Sequence, residues 1–310
     1  MSAAEVLPTV PTPETGPAAS GRRSGSFWGD VLRRVRRNPA AWIGGVVIAA
    51  FVLVALLAPW LAPYPELATP GREYLRPTSL PGIGEIPEFP LGIDRFGGDV
   101  VSKLIWGAQA SLLIGIASTF FGLLGGMVLG ALAGAFGGWV DTIVMRVVDI
   151  LLAFPGILLN IAIVALVARP GVGTMVIALA VNGWVRYARL ARGQVLSMRE
   201  LEYVVAAKAI GARPSAIMFK HILPNMLSPV VVMMSLSFGG VIAVEASLSF
   251  LGLGPQLDYS WGSLLDQGTT FSWITPRLAI VPGIAIMMVV LGSNLLGDGL
   301  RDYYDPKSKK

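Results

Sequence analysis

Arg186-Tyr187-Ala188-Arg189-Leu190-Ala191-Arg192 opens a polar stretch that continues through Leu201-Glu202-Tyr203-Val204-Val205-Ala206-Ala207-Lys208-Ala209-Ile210-Gly211 to His221-Ile222-Leu223-Pro224. It carries Arg186, Arg189, Arg192, Arg199, Lys208, Arg213 and Lys220, and long apolar segments flank it on both sides. Positive charge resists translocation, so a Lys/Arg-rich loop between membrane spans is expected on the cytoplasmic side. Within it, Glu202 to Ile210 is rich in Ala and Val with its charges on one side, which suits a short amphipathic helix. Gly211 can end that helix in a left-handed backbone conformation. Arg213-Pro214-Ser215 restarts a helix, since Pro is tolerated in a first turn. Leu223-Pro224 is expected to mark the turn back towards the membrane.

The composition agrees with this. Of 310 residues, 54% are hydrophobic and only 14% charged, too apolar a balance for an ordinary soluble domain. The excess is gathered into runs of spanning length, which makes this an all-α polytopic membrane protein. The net charge of +5 sits beside the apolar runs, pointing to topology and lipid headgroups rather than nucleic acid. Cys is absent, so there is no disulfide or thiolate chemistry, and His221 is the only His. A Gly-x-x-x-x-Gly-Lys-Ser/Thr phosphate loop is missing from the sequence.

On the N-terminal side, residues 1–26 are rich in Pro, Ser, Thr, Ala and Gly and are expected to be a disordered tail. Residues 27–38 place Phe27, Trp28, Val31, Leu32 and Val35 opposite Arg33, Arg34, Arg36 and Arg37, an interfacial amphipathic helix. Asn38-Pro39 caps a first span, Ala40 to Ala58. A Pro/Gly-rich external loop follows, residues 59–102. Span 2 runs from about Lys103 to Ala135. There Gly122, Gly126, Gly130, Gly134 and Gly138 recur every fourth residue after Ser118, a face for close helix approach. That face reads equally as tight packing or as a surface that slides during transport.

Span 3 covers about Thr142 to Val167 with Asp141, Arg146 and Asp149 at its cytoplasmic start. Arg146 and Asp149 are spaced to pair on one face. Pro155 is expected to kink this helix. Span 4 runs from Gly173 to about Ala188, and span 5 from Asn225 to Leu251. Span 5 carries Glu245, whose charge should face the protein interior or a water-filled route. It reads as a structural partner of a backbone or Arg group, or as a contact for a peptide amino group. External residues 252–276 hold Trp261, Phe271 and Trp273, which favour the headgroup zone; Trp261 to Gln267 reads as a short interfacial helix or a plain loop. Span 6, Leu278 to about Leu296, leads to a charged tail, residues 301–310. Cations then favour both termini inside by roughly three to one, satisfied by six spans.

Ala206-Ala207, three residues, Gly211, then Leu223-Pro224 resembles the EAA loop of prokaryotic ABC importer permeases, with Val205 at the position of the name-giving Glu. Three more segments resemble the dipeptide, oligopeptide and nickel branch of those permeases. They are Leu91-Gly92-Ile93-Asp94-Arg95-Phe96-Gly97-Gly98-Asp99 with Ser102-Lys103, Ser247 to Gly254 with Trp261-Gly262, and Asn294 to Asp302 with Asp305-Pro306.

The resemblance implies a type I importer permease in a prokaryotic cytoplasmic membrane, a transmembrane domain over residues 39–300. A second, homologous permease subunit, two ATP-binding subunits and an extracytoplasmic solute-binding protein are the implied partners. The solute would be a dipeptide or oligopeptide, with nickel or another small solute as the alternative. ATP and Mg would be used by the partner subunits; no catalytic residue, cofactor or metal is assigned to this chain. The coupling loop is residues 189–224. Its contact residues towards an ATPase subunit are expected to be Leu201, Glu202, Tyr203, Val204, Ala206, Ala207, Lys208, Ile210, Gly211 and Arg213. Tyr203, Val204, Ala207 and Ile210 are the side chains expected to enter the partner's groove. Glu245, Asp149, Arg146 and Asn182 are the candidates for a translocation path or gate. An ion-coupled secondary transporter is the competing reading; it would also carry intramembrane carboxylates but would not need the loop.

Overall fold

The computed structural model describes residues 38–71, 89–255, 257, 259–270 and 276–304. The expected tail and interfacial helix before residue 38, Phe271, Trp273 and the last six residues lie outside them.

The described residues are built from helices. Helix α1 (Pro39–Leu56) is capped as its sequence asks: Asn38 Oδ1 accepts from the Ala40 and Ala41 N–H groups, and Pro39 fills the first position. A short α2 (Ala58–Leu61) follows. The segment that leads to α3 (Val100–Phe136) is held by buried charge. Asp94 is fully buried and ion-paired to Lys103, and its Oδ1 accepts from the N–H groups of Phe96 at 3.0 Å and Gly98 at 2.7 Å. Asp99 caps α3 through the Ser102 N–H at 2.8 Å. Within the Leu91–Lys103 signature the buried Asp94 is thus hydrogen-bonded as well as ion-paired, the condition on which a buried ion pair is tolerated.

At 37 residues, α3 spans about 55 Å, well beyond a bilayer's hydrocarbon core. It lies along α6 (Val172–Met198) in the most extensive helix contact of the structure. The glycine stripe explains why. A methyl group on Gly126 would fall 2.3 Å from the Trp184 carbonyl oxygen, and one on Gly130 would fall 2.2 Å from that of Ala188. Gly134 faces the Val195 side chain, and at Gly126 and Gly130 backbone meets backbone along this seam. Gly138 does not join the stripe. It and Gly137 have φ of +54° and +63° and form the reversal after α3, where added side chains would meet nothing.

The third expected span is two helices, α4 (Gly138–Leu152) and α5 (Gly156–Ala165), bent by 89° at Pro155. The sequence predicts a kink; the structure has a full break, because Pro155 takes an extended ψ of 125° that no helix continues through. By length and composition, four helices among the described residues can cross a membrane, and the bent pair would make a fifth. The expected six are not reached, since α6 carries Arg186, Arg189 and Arg192 in its second half.

After α6 come α7 (Glu202–Ala209), α8 (Pro214–Ile217), a π-helical turn over Met218–Ile222, and α9 (Leu223–Phe250). The chain therefore turns at Gly211–Arg213, not at Leu223-Pro224. The wide turn accommodates Pro224, which has no N–H to give a regular helix. Helix α10 (Trp261–Thr270) then packs under α11 (Arg277–Tyr304). Trp261 is no headgroup anchor. It is 4% exposed, lies 5.5 Å from the Phe51 ring in a tilted contact and donates from Nε1 to the Leu104 carbonyl at 2.9 Å. Nearby, burial pushes the Tyr259 phenol above its ordinary value, helped by the Glu66 carboxylate to which it is hydrogen-bonded.

Candidate functional site

Helix α7 ends in a Schellman motif. The Gly211 N–H donates to the Lys208 carbonyl and the Ala212 N–H to the Ala207 carbonyl, each at 3.0 Å, with Gly211 at φ +84°. The left-handed glycine expected at this position is present, and nothing lies within 4 Å of the place a side chain would take. The conformation, not crowding, requires glycine there.

What lies beneath α7 differs from expectation. Val204 is fully buried in its own chain, in a cluster with Ala191 and Val195 of α6, Ile217 of α8, Ile222 and Met226. Ala207 and Ala212 pack against the same cluster. Val204, fully buried, and Ala207, half-buried, therefore clamp α7 to the bundle. A four-residue helical repeat gave no way to tell an inward from an outward apolar face. The outward face holds Leu201, Glu202, Tyr203, Val205, Ala206, Lys208 and Ile210, with Ile210 86% exposed; Gly211 and Arg213 lie beside it, also exposed. Leu201, Val205 and Ile210 leave apolar surface uncovered at the polar end of the molecule. The Tyr203 ring sits 6.0 Å from that of His221.

The polar residues expected to line a path distribute differently. Asp149 is paired with Arg189 at 2.7 Å, not with Arg146, which is exposed. Asp141 is ion-paired with Arg192. Both pairs join α4 to α6. Glu245 is 1% exposed and satisfied by two hydroxyls: Ser249 Oγ donates to Oε1 at 2.9 Å and Ser111 Oγ to Oε2 at 3.3 Å. Neither an Arg nor a backbone group serves it. Asn182 donates from Nδ2 to the Gly156 carbonyl at 3.0 Å and lines a cavity of about 130 Å³ between α3, α5, α6 and α9. Ser118, Thr119, Asn160 and Ser237 share that cavity. Sequence reading passed over Thr119 and Asn160; the signal available was a polar residue inside each of two apolar runs.

Residues 126–310 match the family described as binding-protein-dependent transport system inner membrane component. Residues 26–77 match the N-terminal transmembrane domain of oligopeptide transport permease C. The chain is 39% identical to the dipeptide transport system permease protein DppC of Alkalihalophilus pseudofirmus, over 97% of this chain and 96% of that protein. It is 41% identical to the glutathione transport system permease protein GsiD of Pectobacterium atrosepticum, over 91% and 92%. Among solved structures, a chain from inward-facing MetNI methionine ABC transporter crystals superposes with a TM-score of 0.55 at 20% identity. That match covers 66% of this chain and 98% of the other.

Proposed function

The chain belongs to the binding-protein-dependent transport system inner membrane component family, a bacterial multi-pass inner-membrane permease with the type I importer fold, and from that premise we propose that it carries small peptides inward as one of two permease subunits driven by ATP. Two ATP-binding subunits dock inside, and an extracytoplasmic binding protein delivers the solute. The relatives named for dipeptide and glutathione transport support the solute class, glutathione being itself a small peptide.

The observation that carries the coupling role is the combination at α7. One side is clamped into the cluster around Val204, while Leu201, Val205 and Ile210 on the other side are uncovered. An amphipathic helix of this kind fits a partner's groove. Because the cluster also holds α6 and α9, a push on α7 is transmitted to both helices. The bundle crosses six times in this reading, with α6 as the fourth crossing and both termini inside.

The test is reconstitution. Purified complex with the neighbouring permease and ATP-binding subunits, in vesicles with the binding protein, should take up dipeptide only when ATP is supplied. Uptake by this chain alone, or driven by an ion gradient, would reject the proposal.

A further inference from the structure

The 130 Å³ cavity between α3, α5, α6 and α9 has room for about four waters at liquid volume. Its wall is unbalanced. Ser118 Oγ, Thr119 Oγ1 and Asn160 Oδ1 are all without a hydrogen-bond partner, on side chains 2%, 6% and 1% exposed. Each such orphan gives up its water partners on burial and gets nothing in return. Such groups gathered on one cavity call for a polar occupant. Arg186 stands at the same cavity, exposed and without a carboxylate partner among the described residues, whereas Arg189 and Arg192 on its own helix are both paired. Gly240 also lines it, and a side chain there would meet nothing within 4 Å, so the space is open and not closed by packing. Glu245 is absent from this wall and has both oxygens satisfied elsewhere.

We propose that this cavity is a solute subsite on the transport route that receives the carboxyl-terminal end of a small peptide. The carboxylate pairs with the Arg186 guanidinium. The last amide N–H donates to the Asn160 side-chain carbonyl, and the Ser118 and Thr119 hydroxyls donate to the peptide's carbonyl oxygen. The cavity is partly open and too small for a whole peptide, so the amino end projects out of it. This assignment rests on the peptide-importer reading above and names the groups that would recognise the solute.

The experiment is ATP-driven uptake of radiolabelled dialanine and of its C-terminally amidated form by the full importer complex in vesicles. Arg186→Gln should lower dialanine uptake about tenfold, the loss of one charge-assisted hydrogen bond, and should abolish the preference for the free acid. Thr119→Val, which keeps the shape and removes the hydroxyl, should weaken uptake of both forms. Gly240→Leu should fill the space and block both. Copurification of the subunits and the thermal midpoint show that the variants fold. Wild-type uptake of dialanine with undiminished uptake in the variants overturns the subsite alone. Equal loss of both forms in Arg186→Gln does so too, because it marks a structural role for the arginine. A wild-type complex that moves neither peptide overturns the peptide reading and the subsite with it.

Discussion

Arg189 Nη2 stands 2.7 Å from Asp149 Oδ1 across 40 residues of sequence, tying α6 to the helix that precedes the Pro155 break. A second tie, Arg192 to Asp141, lies nearer that helix's start and is less exposed. Side-chain exposure is 55% and 58% in the first pair but 33% and 23% in the second. Solvent screening therefore leaves the first worth about 0–1 kcal/mol, and the second should exceed it. Asp141→Asn is expected to lower the thermal midpoint of the detergent-solubilised protein more than Asp149→Asn. High salt should shrink both effects, the Asp149 effect more. A larger loss from Asp149→Asn would contradict this ranking.

The seam between α3 and α6 gives a sharper contrast. Gly130→Leu would drive its side chain into the Ala188 carbonyl, whereas Gly125 has only the Trp184 Cβ at 3.9 Å. The first variant should fail to accumulate in the membrane, and Gly125→Leu should accumulate normally. Quantitative blotting of membrane fractions checks it. Equal amounts of the two would mean that α3 and α6 are not pressed backbone to backbone.

The polar knot before α3 supplies a third case. Lys103 and Asp94 are 5% and 0% exposed in their side chains, so removing one partner strands a buried charge at a cost of about 3–5 kcal/mol. Lys103→Met should be strongly destabilising by thermal denaturation in detergent. Lys103→Met combined with Asp94→Asn should recover part of the loss, since the uncompensated charge is gone. A double variant that is worse than both single ones would refute the account of the knot.

These residues also show what the sequence disclosed. Apolar run lengths gave the membrane class, Asn38-Pro39 the start of α1, and Gly211 the end of α7, because each is a local rule in which neighbouring residues decide. The distribution of partners was not local. Asp149 had Arg146 at helical spacing, yet Arg189 takes it, because α6 packs beside α4 in the folded chain. Trp261 had the composition of an interfacial anchor but is buried, since the bare backbone of Gly107 lets its ring pack against α3. Val204 shows the same limit: an eight-residue helix with apolar residues on several sides does not reveal which side its own chain will cover.

Gly211 allows a test of coupling that leaves the bundle alone. Because a side chain there would meet only open space, Gly211→Val is disfavoured by its left-handed backbone alone, by about 1–2 kcal/mol. Gly211→Asn, whose side chain tolerates that conformation, should be milder. With Val, ATP hydrolysis by the complex should continue while dipeptide uptake falls, and with Asn the two should stay closer together. Parallel measurement of phosphate release and uptake decides it. Unchanged uptake in Gly211→Val would show that the turn does not aim the helix.

The central claim is that α7 faces a motor subunit inside the cell. Native sequence without cysteine makes Ile210→Cys a single reporter at the most uncovered apolar position of that helix. The measurement is thiol cross-linking from this position to cysteines placed on the surface of the copurified ATP-binding subunit, with a membrane-impermeant thiol reagent applied to intact cells as its companion. The account predicts a cross-linked pair whose yield changes with nucleotide, and no labelling until the membrane is opened. Labelling of intact cells, or no cross-link to any position on the ATP-binding subunit, would contradict it.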